Sequence, residues 1–174
     1  MAILTPRLQL LPLAPADILA LIEGVRQFKE RFGTPVADGL RDLFVSGEVS
    51  PAWIAKLRVA TSADVWQHGF ALVDQESQSV IGTAGFKGPP DEAGVVEIGY
   101  GIAPSFQGRG FATEAAAALV EFAFDDGRVR LVRAHTLPMN NASTRVLEKC
   151  GFKFIGDVSD PDDGLVWRWE RQQS

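Results

Sequence analysis

With 174 residues, 46% of them hydrophobic and 22% charged, the chain has the size and composition of one folded domain, which we expect to span residues 1–174. The formal net charge of −5 excludes the basic field that a nucleic-acid surface needs, and no apolar run approaches the roughly 20 residues of a membrane span. One cysteine and two histidines exclude an intrachain disulfide and a structural zinc set, so we expect a cytoplasmic protein without a metal.

The first part of the chain predicts one strand and then helices. Closely spaced leucines predict a strand at about 6–12. Apolar residues at helical spacing follow from Pro15, and glycines and prolines divide the region up to about residue 57 into two or three short helices. The pattern therefore indicates a helical segment inserted after the first strand.

The remaining chain predicts mainly strands, with two helices among them. Two apolar runs that flank a polar turn predict a β-hairpin, and an unbroken alanine-rich stretch predicts the clearest helix. The predicted elements, in order, are strands 70–73, 80–86 and 95–102, helix 111–124, strand 130–136, helix 142–150, and strands 151–156 and 165–170. Together they predict an α+β fold, with a mixed, mostly antiparallel sheet of about seven strands flanked by about four or more helices.

The most specific motif lies at residues 107–112, between a predicted strand and the start of the clearest helix. Backbone N–H groups at a helix start have no intrahelical partner, so a pyrophosphate can accept hydrogen bonds there. Gly108 and Gly110 permit close approach of a ligand, while Arg109 and Thr113 add a charge and a hydroxyl. The alternative is that the two glycines only shape a turn. A dinucleotide-binding oxidoreductase fits less well, because its glycine motif follows the first strand of a parallel sheet.

This motif resembles the Gln/Arg-x-x-Gly-x-Gly/Ala signature of the GNAT acyltransferases, which use acetyl-CoA. Residues 5–17 and 140–152 resemble the RimJ/RimL-like branch of that family, which acetylates the amino termini of ribosomal proteins. The resemblance implies a sheet that is splayed between strand 95–102 and strand 130–136, with the coenzyme in the split. It also implies coenzyme contacts from Ile102, Ala103, Gln107, Gly108, Arg109, Gly110, Phe111, Ala112, Thr113, Asn140 and Ser143.

Strand 95–102 carries the first candidate for chemistry. Side-chain alternation places Glu97 on one face together with Gly99 and Gly101, which leaves room for a pantetheine arm or a substrate beside a carboxylate. Glu97 also resembles the acid that RimJ/RimL-like enzymes carry on this strand, which implies a general base that acts directly or through water. The alternative is a solvated charge on the exposed side of an antiparallel strand.

The departing thiolate benefits from a proton donor. Many GNAT enzymes place a tyrosine where Leu147 stands here, and a leucine cannot donate a proton. In the RimJ/RimL-like branch the serine that matches Ser143 is the implied donor, and Asn140 is implied to contact the pantetheine. The local alternative is that Asn140 or Asn141 caps the short helix, with Ser143 in its first turn. Tyr100, the only tyrosine, is a fallback donor.

Several other residues favour structural roles. Gly151 suits the left-handed position that ends a helix, and Cys150 is expected to be buried. His68, at the start of a predicted strand, and His135 show no partner pattern and are interpreted as structural or surface residues. Five aromatic residues are candidates either for an acceptor pocket or for the core: Phe28, Phe32, Trp53, Trp66 and Phe86.

These features predict an acetyl-CoA-dependent N-acetyltransferase in which an amine of a protein or small molecule attacks the thioester directly, in a ternary complex. Its partners would be an acyl-CoA and an amine acceptor, without nucleic acid or membrane, and the acidic net charge favours a cationic acceptor. Trp167 and Trp169 alternate on the last strand and indicate packing, with a homodimer contact as one interpretation. The alternative function is a non-catalytic acyl-CoA-binding or regulatory domain, favoured by Leu147 in the place of the tyrosine.

Overall fold

The structure, a computed structural model, describes residues 1–46 and 49–174 in full, and residues 47 and 48 only as members of a helix. Its strands are β1 Ile3–Leu4, β2 Leu8–Pro12, β3 Phe70–Asp74, β4 Ser79–Phe86, β5 Val95–Ile102, β6 Leu131–Thr136, β7 Lys153–Asp160 and β8 Gly164–Gln172. Its helices are α1 Pro15–Glu23, α2 Val25–Phe32, α3 Leu40–Glu48, α4 Pro51–Val59, α5 Val65–His68, α6 Phe111–Asp125 and α7 Ala142–Lys149. No helix in the described part of the chain combines the length and the apolar character that a bilayer span requires.

The eight strands form a mixed sheet in the order β1-β2-β3-β4-β5-β6-β8-β7. All neighbouring pairs are antiparallel except β5 and β6, which run parallel. The predicted α+β class and the mostly antiparallel sheet are therefore confirmed. The sheet has one strand more than predicted because Ile3–Leu4 adds a two-residue strand beside β2.

The helical segment after β2 is more divided than its sequence pattern predicts. It contains four helices instead of two or three, because Gly24 ends α1 and Gly33, in the left-handed region at φ 87°, ends α2. A further single turn, α5, occupies the position where His68 was predicted to open a strand. That prediction is wrong because the Asp64 side chain accepts a hydrogen bond from the Trp66 N–H and caps a helical turn.

Hydrophobic clusters cover both faces of the sheet. Alternate residues of β3 belong to different clusters: Phe70 and Leu72 pack with α6, whereas Ala71 and Val73 pack with the helices that follow β2. The clearest predicted helix, now α6, contacts β2, β4 and β5. Helix α6 therefore anchors the loop before it to the centre of the sheet.

Strands β5 and β6 separate within the sheet. Their pairing comprises Val95 with Leu131, Val96 with Val132, and Glu97 with Arg133. Within the described part of the chain, no strand pairing joins them beyond Glu97. The predicted splay is thus confirmed, and the gap opens at Glu97. The loop to α6 leaves one side of this gap, and the turn to α7 leaves the other.

Candidate active site

The loop between β5 and α6 presents an exposed helix start. Residues 107–110 are exposed, and Gly108 and Gly110 have left-handed φ values of 73° and 83°. A Cβ on Gly108 would meet no atom within 4 Å, so this side of the backbone is open to a ligand. Gly110 is the N-cap residue of α6, whose first N–H groups lack intrahelical acceptors. The loop therefore has the open backbone and the positive helix end that an anion requires.

Arg7 ties the first part of the chain to this loop, although no sequence motif assigned it to the site. Its guanidinium donates to Glu114 Oε1 at 2.9 Å and to the backbone oxygen of Arg109 at 2.8 Å, and it lies 4.1 Å from the centroid of the Phe111 ring. Burial acts to raise the pKa of Glu114, but hydrogen bonds from Thr5 and Arg7 outweigh it and lower the pKa. Glu114 therefore stays ionised and holds Arg7 beside the loop.

The other predicted coenzyme residues divide into exposed and buried groups. Gln107 is exposed, and its Nε2 donates to the Ile102 oxygen at 2.9 Å, which braces the loop. The Arg109 guanidinium lies 5.3 Å from the centroid of the Phe111 ring, at the surface. Ile102, Ala103 and Phe111 are buried, and the Ala103 N–H already donates to the backbone. Their side chains therefore lie in the core, whereas Gln107 and Arg109 lie at the protein surface.

Glu97 lies where the pairing between β5 and β6 ends. Its Oε2 atom is 3.1 Å from Lys87 Nζ and 3.1 Å from His135 Nδ1. The side chain is 21% exposed. It is therefore a paired carboxylate at the mouth of the gap, in contrast to the isolated, fully solvated charge of the alternative interpretation.

His135 contacts the Glu97 carboxylate and is buried, with 8% of its side chain exposed. Arg168 Nε donates to His135 Nε2 at 3.1 Å. Because arginine only donates, Nε2 must accept, and in the neutral ring the proton lies on Nδ1. Nδ1 makes no aligned hydrogen bond within the described residues, and Glu97 Oε2 stands 3.1 Å from it. The structure thus adds a contact to Glu97 that the interpretation of His135 as structural or surface missed.

Helix α7 begins on the other side of the gap, and its cap is Asn141. The Asn141 side chain accepts from the Thr144 N–H at 3.1 Å, so it is Asn141 that caps, whereas Asn140 is exposed just before the cap. Ser143 lies in the first turn, as the local alternative predicted, and its backbone oxygen is 3.4 Å from the Tyr100 hydroxyl. Leu147 is fully buried in the core and has no access to the gap.

Tyr100 spans from β5 to the start of α7. Burial, with a smaller contribution from Cys150, raises the pKa of Tyr100 well above its ordinary value, while the contact with Ser143 acts in the opposite direction. The phenol is therefore protonated at neutral pH and able to donate a hydrogen bond. This position keeps Tyr100 as a second candidate donor beside Ser143.

The end of α7 has the structural role that its sequence predicts. Gly151 has φ 82°, its N–H donates to the Glu148 oxygen, and the Phe152 N–H donates to the Leu147 oxygen at 3.0 Å. This pair of bonds is the Schellman arrangement that terminates a helix. Cys150 is buried, as predicted, and burial raises the pKa of its thiol despite a nearby Arg171.

A cavity of about 330 Å³ lies between the helical segment and strands β4 and β5. Among the five aromatic candidates, Trp53 and Phe86 line it. Phe28 is buried in the core cluster beneath the helical segment, and Phe32 stacks on it with ring centroids 4.8 Å apart. Trp66 is partly buried and packs on Phe86, against the core cluster that contains α6.

Comparison with known proteins identifies the family to which this architecture belongs. A sequence profile described as the acetyltransferase (GNAT) domain matches residues 7–153, from the start of β2 to the start of β7. The chain belongs to the GNAT acetyltransferase family. The matched region of this GNAT chain contains the glycine loop, Glu97 and the start of α7. The sequence resemblance to the GNAT family is therefore confirmed.

Curated relatives of this GNAT chain match part of its length. It is 33% identical over 91 residues to an uncharacterized N-acetyltransferase, p20, of Bacillus licheniformis, covering 52% of this chain and 51% of that protein. It is 34% identical over 67 residues to aminoglycoside N(6')-acetyltransferase type 1 of Klebsiella pneumoniae, covering 38% and 33%. The chain thus matches about half the length of the first relative and a third of the second.

Solved structures share the fold over nearly the whole chain. A GNAT-family acetyltransferase from Bacillus anthracis superposes with a TM-score of 0.66 at 19% identity, covering 99% of this chain and 98% of that one. Ribosomal-protein-S5-alanine acetyltransferase from Vibrio fischeri gives a TM-score of 0.66 at 15% identity, covering 99% and 96%. At these identities the superpositions show that the chain shares the fold of both proteins.

Proposed function

We propose that this GNAT protein is an acetyl-CoA-dependent N-acetyltransferase in which a primary amine, of a small molecule or a protein amino terminus, attacks the thioester directly in a ternary complex. One observation carries the proposal. The exposed glycine loop at the start of α6 and the gap that opens at Glu97 lie at the two ends of the same strand, β5. This arrangement supports a phosphate site and a carboxylate base that would act along one strand. The proposed domain extends over residues 1–174.

The coenzyme would be held at two places around the gap. Residues 107–113 would bind the pyrophosphate through backbone N–H groups, with Arg109 as the nearby charge. The open space beside Gly108 supports this assignment, because a phosphate can approach the backbone there without displacing an atom. Asn140 and Ser143, at the start of α7, would contact the pantetheine from the opposite side of the gap.

Glu97 would act as the general base, directly or through one water. At neutral pH a primary amine is an ammonium, and it must lose a proton before it can attack a thioester. Lys87 and His135 both contact Oε2, which fixes the carboxylate. We assign the proton transfer to the other oxygen, Oε1. Ammonium and carboxylate attract each other, so the same group that takes the proton also orients the nucleophile.

Ser143 would donate to the departing thiolate, with Tyr100 as the second candidate. Leu147 cannot serve, because it is an alkyl side chain that is fully buried. The Tyr100 hydroxyl lies 3.4 Å from the Ser143 oxygen, so both candidates stand at the same point of the gap. Replacement of each alone, with single-turnover measurement of thiol release, would separate their contributions.

The direct test measures release of free CoA thiol from acetyl-CoA against a panel of amines and amino-terminal peptides. For the best acceptor, we expect Glu97→Gln to lower kcat by about 100-fold or more, the usual range for loss of a general base, with the Kd for CoA almost unchanged. Glu92→Gln is the matched control, since Glu92 is an exposed acid in the turn before β5. Wild-type turnover in Glu97→Gln would remove Glu97 as the base.

The second candidate function is a non-catalytic acyl-CoA-binding or regulatory domain. The burial of Leu147 at the position of the family's tyrosine favours it. CoA binding without amine-dependent thiol release across the panel would support this candidate and contradict the enzyme proposal.

A further inference from the structure

The cavity beside β5 lies on the same face of that strand as Glu97. A Cβ on Gly101 would lie 3.4 Å from Leu43 Cδ2 of α3, and one on Gly99 would point into open space. Because alternate residues of a strand lie on the same face, residues 97, 99 and 101 share one face of β5. The two glycines therefore leave a surface without side chains that extends from Glu97 towards α3. Lys87 lines the cavity and also contacts the Glu97 carboxylate. Lys87 therefore links the cavity wall to the proposed base.

Apolar side chains dominate the cavity walls. Those that project from the helical segment and from β4 include Leu13, Ile18, Leu43, Phe44, Trp53 and Phe86. Its volume, about 330 Å³, lies at the small end of the roughly 300–1,000 Å³ range of ligand sites. A group that fills it must be compact and must leave water for an apolar surface.

The cavity offers no anionic partner to a second ammonium. Among the residues that the structure describes in full, neither aspartate nor glutamate lines it. His68 lines it as a half-buried side chain whose Nδ1 accepts the Asp64 N–H at 3.0 Å, and burial lowers the pKa of His68 despite Asp64 nearby, so it is uncharged at neutral pH. Lys87 is itself a cation. A polycationic amine would therefore bury unpaired charge here, which is costly.

We infer that this cavity selects primary amines that carry one compact apolar substituent, such as an alkyl chain or a phenyl ring, over polyamines and aminoglycosides. The inference rests on the proposed acetyl transfer. The reacting ammonium would lie at Glu97, and its apolar substituent would extend over Gly99 and Gly101 towards Phe44 and Trp53. The aminoglycoside specificity in the name of one relative therefore does not extend to this chain.

The test uses wild-type protein, acetyl-CoA and linear amines from ethylamine to hexylamine, with phenethylamine, spermidine and kanamycin. We expect kcat/KM to rise about 4-fold per methylene, which corresponds to roughly 0.8 kcal/mol, until the cavity is full. The kcat/KM for phenethylamine should be at least 10-fold higher than that for spermidine or kanamycin. The inference would be overturned if kcat/KM did not change along the alkyl series, or if it were higher for spermidine or kanamycin than for phenethylamine. Either result would leave the proposed acetyl transfer intact. Absence of turnover with all of these amines, and also with the amino-terminal peptides of the thiol-release panel, would overturn both the inference and the proposed acetyl transfer.

Gly99→Val narrows the cavity without a positive-φ penalty or a neighbouring atom within 4 Å of its Cβ. We expect the ratio of kcat/KM for phenethylamine to that for ethylamine to fall at least 10-fold. Gly127→Ala, in the turn after α6, is the matched control, because its Cβ also meets nothing and it lies outside the cavity. An unchanged ratio in Gly99→Val, with a Kd for CoA like that of wild type, would show that the cavity does not receive the substituent.

Discussion

Glu97 is held by two groups that come from different parts of the chain. Lys87 follows β4, whereas His135 stands on β6, and both approach the same carboxylate oxygen. His135 in turn accepts a hydrogen bond from Arg168 on β8. A carboxylate fixed in this way keeps one oxygen oriented for proton transfer. We therefore regard His135 as a positioning residue for the proposed base.

Replacement of His135 tests this assignment. His135→Leu removes the contact to Glu97, and we expect kcat to fall about 10-fold with the Kd for CoA unchanged, since the coenzyme loop is not touched. His135→Asn retains an N–H close to the Nδ1 position and should recover part of the loss. A general loss of packing would instead affect both variants alike and would also weaken CoA binding. Stopped-flow thiol release and isothermal titration measure the two quantities.

The loop before α6 depends on backbone conformation more than on side chains. At φ values of 73° and 83°, an L side chain costs about 1–2 kcal/mol, so Gly108→Ala and Gly110→Ala should distort the loop. A Cβ at Gly110 would also lie 3.2 Å from Arg7 Nη2. We expect the Kd for CoA to rise at least 10-fold in both variants, measured well below the unfolding temperature, and to remain unchanged in Gly127→Ala. Wild-type affinity in both loop variants would exclude the loop as the phosphate site.

Elements whose signals are local could be predicted well from the sequence. Strand β5 and helix α6 have the predicted starts, and the Gly151 helix end follows from glycine at a left-handed position. Contacts that depend on the register between distant strands could not be predicted. His135 approaches Glu97 only because β6 pairs in parallel with β5 at residues 95–97, and no local pattern encodes that register. The contact of Arg7 with Glu114 could not be predicted for a related reason, since the two residues are 107 positions apart in the sequence.

Coenzyme binding and acceptor choice differ in how far they follow from sequence. The glycine loop is contiguous, so its chemistry can be proposed from a few adjacent residues. The cavity proposed for the acceptor collects residues from four helices and three strands, and two of the five aromatic candidates line it. The apolar character of the cavity therefore emerges only from tertiary packing. The net charge of −5 draws ammonium groups towards the protein, whereas we propose that the cavity selects the substituent that the amine carries.

Stability of the whole molecule should depend on pH through His68. Because burial lowers the pKa of His68 in the folded state, the unfolded chain binds this proton more readily. The free energy of unfolding should therefore fall as pH drops through about 6.5, the ordinary histidine value. His68→Asn, whose Oδ1 can accept the Asp64 N–H, should lose less stability than wild type between pH 7.5 and pH 5.5. Urea unfolding at both values measures the difference, and equal losses would contradict this role.

The separation of β5 from β6 also has a mechanical consequence. Among the residues that the structure describes, three backbone pairs join β5 to β6 in the ladder between the half-sheet β1–β5 and the half-sheet β6–β8. Two strands that are hydrogen-bonded along their whole length resist bending, whereas β5 and β6 are paired over part of theirs. We therefore expect the angle between the two half-sheets to vary more than any other angle within the sheet. A coenzyme bound in the gap between β5 and β6 would contact both half-sheets and fix the angle between them. The rigidity of the molecule would then be a property of the complex, acquired when the acyl donor arrives and lost when CoA leaves.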